Sequence, residues 1–255
     1  MWHDSRERMN ISVCPCCDST AFERGVVLWE LIEEWSLSAH ESEYIDRQQG
    51  LRCCACHANL RSMTLAKAIL DICDFDGSLV QFVAAEPELR VLEVNEAGNL
   101  SELLARLPNH QLVSYPAVDL ANLPFENELF DLVVHSDTLE HVREPLKGLE
   151  ETLRVLQPGG ATCYTVPVVV GRMSKVRGTT PSYHGSRGID EYLVVTEYGA
   201  DMWTQLMRAG FHDCRLLSLD YPASVAITGV KWSSLQRSGA QRDVVEPLER
   251  RELRP

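Results

Sequence analysis

Between Leu89 and Lys231, short apolar strands alternate with helical stretches, and this alternation restricts the fold more than any other feature of the chain. Leu89-Arg90-Val91-Leu92-Glu93-Val94 reads as a short strand near whose end stands an acid. Asn95-Glu96-Ala97-Gly98-Asn99 is a turn, and the stretch from Leu100 to Leu107 has helical spacing. Strand, turn and helix in that order form the first half of a doubly wound α/β layer. Further strands are expected from Gln111 to Tyr115, from Phe130 to His135 and from Ala161 to Val170. Helices are expected from Pro145 to Leu156 and from about Ala200 to Ala209, the latter stopped by Gly210. The last two strands, Cys214 to Asp220 and Ser224 to Lys231, meet at a turn around Pro222 and should form an antiparallel hairpin. Upstream, Leu65, Ile69, Leu70 and Ile72 mark an amphipathic helix, and Ser78 to Ala85 a shorter one.

The chain has nine cysteines, and six of them fall between Cys14 and Cys56. Cys14-Pro15-Cys16-Cys17 and Cys53-Cys54-Ala55-Cys56-His57 each contain a C-x-x-C pair. Such a turn sets two thiolates on one side of a tight loop. Two turns complete a tetrahedral four-sulfur shell, which suits a structural Zn2+ because no position stays open for a reacting water. Cys14, Cys17, Cys53 and Cys56 are the candidate metal ligands. Cys16, Cys54 and His57 are spare donors, so the register is open by one residue at each knuckle, and an iron–sulfur cluster would use the same thiolates. The 35 residues between the knuckles carry Val26, Val27, Leu28, Leu31, Ile32 and Trp35, a pattern that predicts a helix between Phe22 and Ser38. Cys73, Cys163 and Cys214 read as small buried hydrophobes.

An odd cysteine count and an N-terminus, MWHDSRERMN, without an apolar h-region argue against a secreted disulfide framework, so a cytoplasmic location is expected. No run of eighteen apolar residues suits a membrane span. The net charge of −13 and the lack of a Lys/Arg stripe speak against a nucleic-acid partner. Oligomeric state is not legible.

Four runs in order resemble class I S-adenosylmethionine-dependent methyltransferases of the type 11 group. They are Asp119-Leu120-Ala121-Asn122-Leu123-Pro124-Phe125, Phe130-Asp131-Leu132-Val133-Val134, Thr138-Leu139-Glu140-His141-Val142 and Arg154-Val155-Leu156-Gln157-Pro158-Gly159-Gly160. Ala209-Gly210-Phe211 before the hairpin joins them, and the cysteine knuckles look like those of zinc-containing members. The resemblance implies a Rossmann-like, mostly parallel seven-stranded sheet with an antiparallel last strand, and S-adenosyl-L-methionine as cofactor. It divides the chain into a four-cysteine zinc module at 1–61, a cofactor-binding domain at 62–232 and a charged tail at 233–255. By the same carry-over, Glu93 matches the acid closing the first strand, and Asp119, with Leu120 beside it, the carboxylate that receives the adenine amino group. Asn95 and Gly98 lie in the cofactor turn. His135 and Ser136 end the fourth strand beside the sulfonium, and Asp137 follows.

Two departures are visible. Where the family prefers glycines this chain has Asn95, Ala97 and Asn99, although asparagine tolerates positive φ. Only three residues separate Tyr115 from Asp119, which leaves no room for the usual second helix and a full third strand. The ribose-binding acid therefore lacks a clear match; Asp119 or Glu96 are its candidates. Asp137-Thr138 also offers N-cap chemistry, Glu140-His141 reads as a helix start, and Pro158-Gly159-Gly160 as a turn.

The stretch from Gly171 to Gly199 exceeds a simple connection and carries Arg172, Lys175, Arg177, Tyr183, His184 and Tyr192, which suit a small, aromatic or anionic substrate. His184, His135 and Asp137 are the candidate catalytic bases. Tyr44, Arg47 and Arg61 flank the second knuckle, so the N-terminal module is a candidate lid. The expected activity is methyl transfer to a small-molecule acceptor, with specialised metabolism as one setting. An RNA methyltransferase, an enzyme using the aminobutyryl chain of the cofactor, and a zinc-stabilised scaffold are the rival readings.

Overall fold

A computed structural model describes residues 11–26, 31–85, 87–178, 182–183 and 193–233. Strands β1 (Phe22–Arg24) and β2 (Leu51–Cys53) pair antiparallel, Phe22 opposite Cys53, and so bring the two cysteine knuckles together. Between them lie α1 (Leu31–Glu34) and α2 (Ala39–Gly50). The helix expected from Phe22 to Ser38 is thus replaced by β1 and one turn of α1, with residues 27–30 outside the described set. The longer helix is α2, which hydrophobic spacing did not reveal because only Tyr44, Ile45, Gln48 and Gly50 are buried on it. Its start is written in polar residues instead: Ser38 Oγ accepts from Glu41 N at 3.3 Å, and Glu41 Oε2 accepts from Ser38 N at 2.8 Å, a capping box.

Helices α3 (Leu60–Ile72) and α4 (Leu79–Ala84) lead into β3 (Arg90–Val94), α5 (Ser101–Leu104) and β4 (Asn109–Val113). Next come β5 (Phe130–Ser136), α6 (Pro145–Val155) and β6 (Leu156–Thr165). Five short strands follow: β7 (Val168–Val169), β8 (Lys175–Val176), β9 (Ser182–Tyr183), β10 (Leu193–Val194) and β11 (Thr196–Gly199). The fold closes with α7 (Trp203–Arg208), β12 (Asp213–Leu217) and β13 (Ala226–Val230). The central sheet has six strands in the order β12-β13-β6-β5-β3-β4. All neighbours are parallel except at β13, which runs antiparallel to both β12 and β6. The mixed sheet and terminal hairpin agree with the resemblance; the implied seventh strand does not appear among the described residues. The link from Val113 to Asp119 is too short to add it, so β4 is the sheet edge.

Pleat alternation divides the core cleanly. Val91, Leu132, Val134, Cys163 and Ala226 face one side, against α3, in one apolar cluster that extends through α4 to the cysteine knuckles. Leu92, Val94, Val133, Tyr164 and Ile227 face the other, under Leu149, Val155 and Leu206 of α6 and α7. The knuckle residues Cys14, Cys16 and Cys53 belong to the same apolar cluster as Met63, Leu65 and Ile69 of α3. Each large apolar side chain so buried is worth about 1.5–3 kcal/mol.

Pro158-Gly159-Gly160 is not a free turn but part of β6, at an irregularity opposite Phe130 and Leu132. A Cβ on Gly160 would stand 2.9 Å from Asp131 O, so only glycine permits that approach. Gly210, at φ +97°, ends α7 as expected.

In the insertion after β6, strands β7, β11 and β8 form one small sheet, and β9 pairs with β10. Arg172, Lys175 and Arg177 are paired within the protein. Arg172 donates to both Glu41 oxygens at 2.8 Å and to the carbonyls of Trp35 and Ser36, while Lys175 and Arg177 pair with Glu197. Arg177 also lies over Trp35, 5.9 Å from its ring centre. The contacts of Arg172, and of Arg177 with Trp35, fasten the insertion to the N-terminal region.

Candidate functional site

A cavity of about 530 Å³ opens at the carboxyl ends of β3, β4 and β5, and is lined among others by Asn95, Glu96, Asp119, Ser136, Asp137 and Thr138. That volume lies within the range of small-ligand and cofactor sites. Open α/β sheets bind ligands outside these strand ends.

Asn95 organises the rim. It sits at φ +57°, so asparagine does supply the left-handed turn residue. Its N–H donates to Val113 O at 2.8 Å, its Oδ1 accepts from Tyr115 N at 3.0 Å, and its Nδ2 donates to Thr138 Oγ1 at 3.2 Å. One residue thus joins the ends of three strands. Glu93, fully buried, accepts from Ala97 N at 2.7 Å and lies 2.7 Å from His110 Nε2. It shapes the turn from behind and is not among the lining residues. Gly98, at φ +58°, opens a 3-10 turn that abuts α3: a Cβ there would meet Ser62 Oγ at 3.4 Å.

On the facing rim Asp119 Oδ1 accepts from Ala121 N at 2.9 Å, and Asp119 O accepts from Asn122 N, a tight local turn. Leu120 is buried and lines the cavity. Ser136 shares a 2.8 Å hydroxyl contact with Thr165. Asp137, at φ +46°, donates its N–H to Thr165 O and forms an ion pair with Arg61 of α3. Burial pulls the Arg61 guanidinium down to about 10, against the opposing charge of Glu140.

The candidate bases separate. Asp137 lines the cavity. His135 does not: strand alternation turns it to the opposite side of β5, fully buried, stacked on Tyr164 at 4.7 Å. Neither of its ring nitrogens has a hydrogen-bond partner among the described residues, and burial lowers its pKa to about 4. His184 lies outside the described residues. Sequence reasoning passed over Thr138, Tyr115 and His141 as site residues and placed Arg61 only on a candidate lid. Thr138 and His141 stood inside a motif whose only legible role was a helix start. The wall opposite the sheet comes from Val142, Leu193 and Val195, two of them from the insertion, with Arg143 at the rim. His141 Nδ1 lies 2.9 Å from Leu193 O and so pins that wall.

The sulfurs of Cys14, Cys17, Cys53 and Cys56 all lie within 4.8 Å of one another. Cys14 and Cys56 are 3.7 Å apart, Cys17 and Cys53 3.6 Å. A tetrahedral metal with ~2.3 Å bonds to sulfur sets its ligands ~3.8 Å apart, so this quartet fits a metal ion. Asp18 and His57 follow their knuckles at φ +62° and +59°, which makes His57 a turn residue. Cys54 is exposed, and Cys16 is buried beside the quartet but outside it. Of the donors that spacing left open, the fold groups Cys14, Cys17, Cys53 and Cys56.

Residues 70–164 match a family model described as a methyltransferase domain. Over 92 residues the chain is 38% identical to a demethylmenaquinone methyltransferase of Clavibacter sepedonicus, covering 36% of this chain and 38% of that one. A chloroplastic 2-methyl-6-phytyl-1,4-hydroquinone methyltransferase of Oryza sativa is 25% identical over 145 residues, 51% of this chain and 41% of its own. The chain spans less than half the length of these relatives. Among solved structures, a Burkholderia thailandensis 1,6-didemethyltoxoflavin-N1-methyltransferase is 15% identical, over 68% of this chain and 80% of that one, with a TM-score of 0.39. Among the described residues no helix is long and apolar enough to cross a membrane.

Proposed function

Taking residues 70–164 as part of a class I S-adenosylmethionine-dependent methyltransferase domain, we propose that this protein transfers a methyl group from S-adenosyl-L-methionine to a small-molecule acceptor. The observation that carries the reading is the coincidence of the matched segment with the cavity: Glu96, Asp119 and Asp137, three acids from three strand ends, line one space. The cofactor bears an ammonium and a sulfonium, which such carboxylates suit. When bound it supplies an electrophilic methyl carbon. Asp119, whose second oxygen is free among the described residues, receives the adenine amino group; Glu96 receives the ribose hydroxyls. Asp137 faces the cationic end. Asn95 and Thr138 hold the rim in one geometry, and the apolar wall of Val142, Leu193 and Val195 excludes water from the acceptor side.

His135 takes no part as a base, since it is buried away from this space; Asp137 is the base candidate that remains beside it. The relatives named above carry quinone and hydroquinone substrates in their names, and a compact apolar ring fits the same wall, so a phenolic or quinol acceptor is the class to test first. The four-thiol cluster takes Zn2+ as a structural ion, since four sulfur donors leave it no open position.

Calorimetric titration with S-adenosylhomocysteine tests the cofactor assignment, followed by transfer of labelled methyl to a panel of small quinols and phenols. Saturable binding at micromolar ligand is expected. No binding at millimolar ligand, with the metal in place, refutes the reading.

A further inference from the structure

The two knuckles do not stand apart from the cavity. The second runs straight into α3: Cys53 N donates to Ala58 O at 2.9 Å, and Arg52 bridges Asn59. Asn59 then caps the helix, its Oδ1 accepting from Ser62 N at 2.9 Å and its Nδ2 donating to Gln49. The first knuckle sits on α4, where Pro15 O accepts from Leu79 N at 2.8 Å and Cys16 O from Val80 N at 3.1 Å. Two residues beyond the Asn59 cap, Arg61 leaves this clamped helix end and pairs with Asp137 on the cavity wall. Its side chain is only 13% exposed and that of Asp137 20%. The other Asp137 oxygen, Oδ1, is buried with no hydrogen-bond partner among the described residues. Arg61 is therefore the counter-ion that orients a carboxylate carried by a left-handed residue at the cofactor's edge. Ser62, the next residue, abuts the cofactor turn at Gly98.

We propose that Arg61 is a positioning residue through which metal binding at Cys14, Cys17, Cys53 and Cys56 and cofactor binding in the cavity are coupled. The inference rests on the reading that the cavity takes S-adenosylmethionine and the thiols a metal. Metal fixes both knuckles, the knuckles fix the start of α3, and α3 holds Arg61 against Asp137. Without metal the helix end loosens, and Asp137 loses its counter-ion at the place where the cofactor's cationic end needs a fixed charge. Coupling is reciprocal: whatever factor metal contributes to cofactor affinity, cofactor contributes to metal affinity, typically ~5–150-fold.

The test measures S-adenosylhomocysteine affinity by calorimetry on the zinc-loaded and the chelator-stripped protein, for wild type, Arg61→Lys and Arg61→Met. Wild type should bind about tenfold more weakly when stripped. Arg61→Met should bind weakly in both forms, with the metal dependence gone, and Arg61→Lys should recover part of it. Equal wild-type affinity with and without metal overturns the proposal. So does a full metal dependence in Arg61→Met. Should the stripped protein unfold, the reciprocal measurement decides: zinc transfer from loaded protein to a chromophoric chelator, with and without saturating S-adenosylhomocysteine. Ligand should strengthen zinc retention in wild type and not in Arg61→Met; the same strengthening in both, or none in wild type, overturns it. Loaded wild type that binds no S-adenosylhomocysteine refutes the cofactor assignment instead.

Discussion

Asp119 offers the most direct probe of the cavity, because its two oxygens have different work. Oδ1 accepts from Ala121 N at 2.9 Å and belongs to the turn. In the proposed function the second oxygen receives the cofactor. Asp119→Ala removes both, whereas Asp119→Asn keeps an oxygen for Ala121 and removes the charge. A hydrogen bond involving an ionised group contributes about 1.5–3 kcal/mol, so Asp119→Ala should weaken S-adenosylhomocysteine binding roughly 10- to 150-fold. The residue is exposed. Its turn bond is therefore worth no more than about 1 kcal/mol, or about 2–4 °C in melting temperature for a chain of this size. Asp119→Asn should melt with wild type and still lose part of the affinity. The assay pairs calorimetric Kd with thermal unfolding on the same preparations. Unchanged Kd in Asp119→Ala would remove the carboxylate from the site. A melting-temperature loss of about 10 °C or more, accompanied by a proportionate affinity loss and repaired by Asp119→Asn in both readouts, would make Asp119 a structural residue.

Three further outcomes are expected. Cys56→Ser breaks the sulfur quartet, so native mass spectrometry should find the metal lost while far-ultraviolet circular dichroism retains the sheet; full metal retention would contradict the ligand assignment. Asn95→Ala should destabilise the fold by more than Asn95→Gly, by about 1 kcal/mol, because alanine is strained at φ +57° and glycine is not; denaturant midpoints check the order. His135 titrates near 6.5 when exposed and near 4 in the fold, burial being the cause. As pH falls the unfolded chain binds that proton first. Stability is therefore lost between about pH 6.5 and 4, by up to about 3 kcal/mol at the lower end. His135→Phe keeps the stack on Tyr164 without titrating, and its unfolding free energy should be flatter over that window; parallel curves would show that His135 is not responsible.

What was legible in the chain followed from local periodicity. Leu132, Val133 and Val134 marked a strand buried on both faces, and the turn at Pro222 marked the hairpin. The two C-x-x-C spacings marked the knuckles and left Cys16, Cys54 and His57 open as donors; only the tertiary structure groups Cys14, Cys17, Cys53 and Cys56. The tolerance of asparagine for positive φ anticipated Asn95. Alternation along β5 would also have separated His135 from Ser136, because neighbours on a strand face opposite sides. Other features were hidden for identifiable reasons. Helix α2 is held by a capping box and a few buried residues, so it has no apolar stripe to read. Arg61 and Asp137 are 76 residues apart, and no local pattern marks a pair closed by tertiary packing. The basic residues of the insertion looked like substrate contacts, but Glu41 and Glu197 had already claimed them.

The short link after β4 and the asparagine in the turn after β3 belong to one arrangement. Among the described residues no strand pairs beyond β4, so no ladder gives Tyr115 N a partner at the cavity rim. Asn95 supplies one: its Oδ1 takes that N–H, while its Nδ2 reaches Thr138 beyond β5. Glycine would allow the same backbone turn but could make neither bond. Asparagine here keeps the left-handed conformation and adds a cross-strand tie. The cavity therefore keeps its rim without a strand beyond β4 among the described residues, and Asp119 is brought to the facing rim by a tight turn rather than by a ladder.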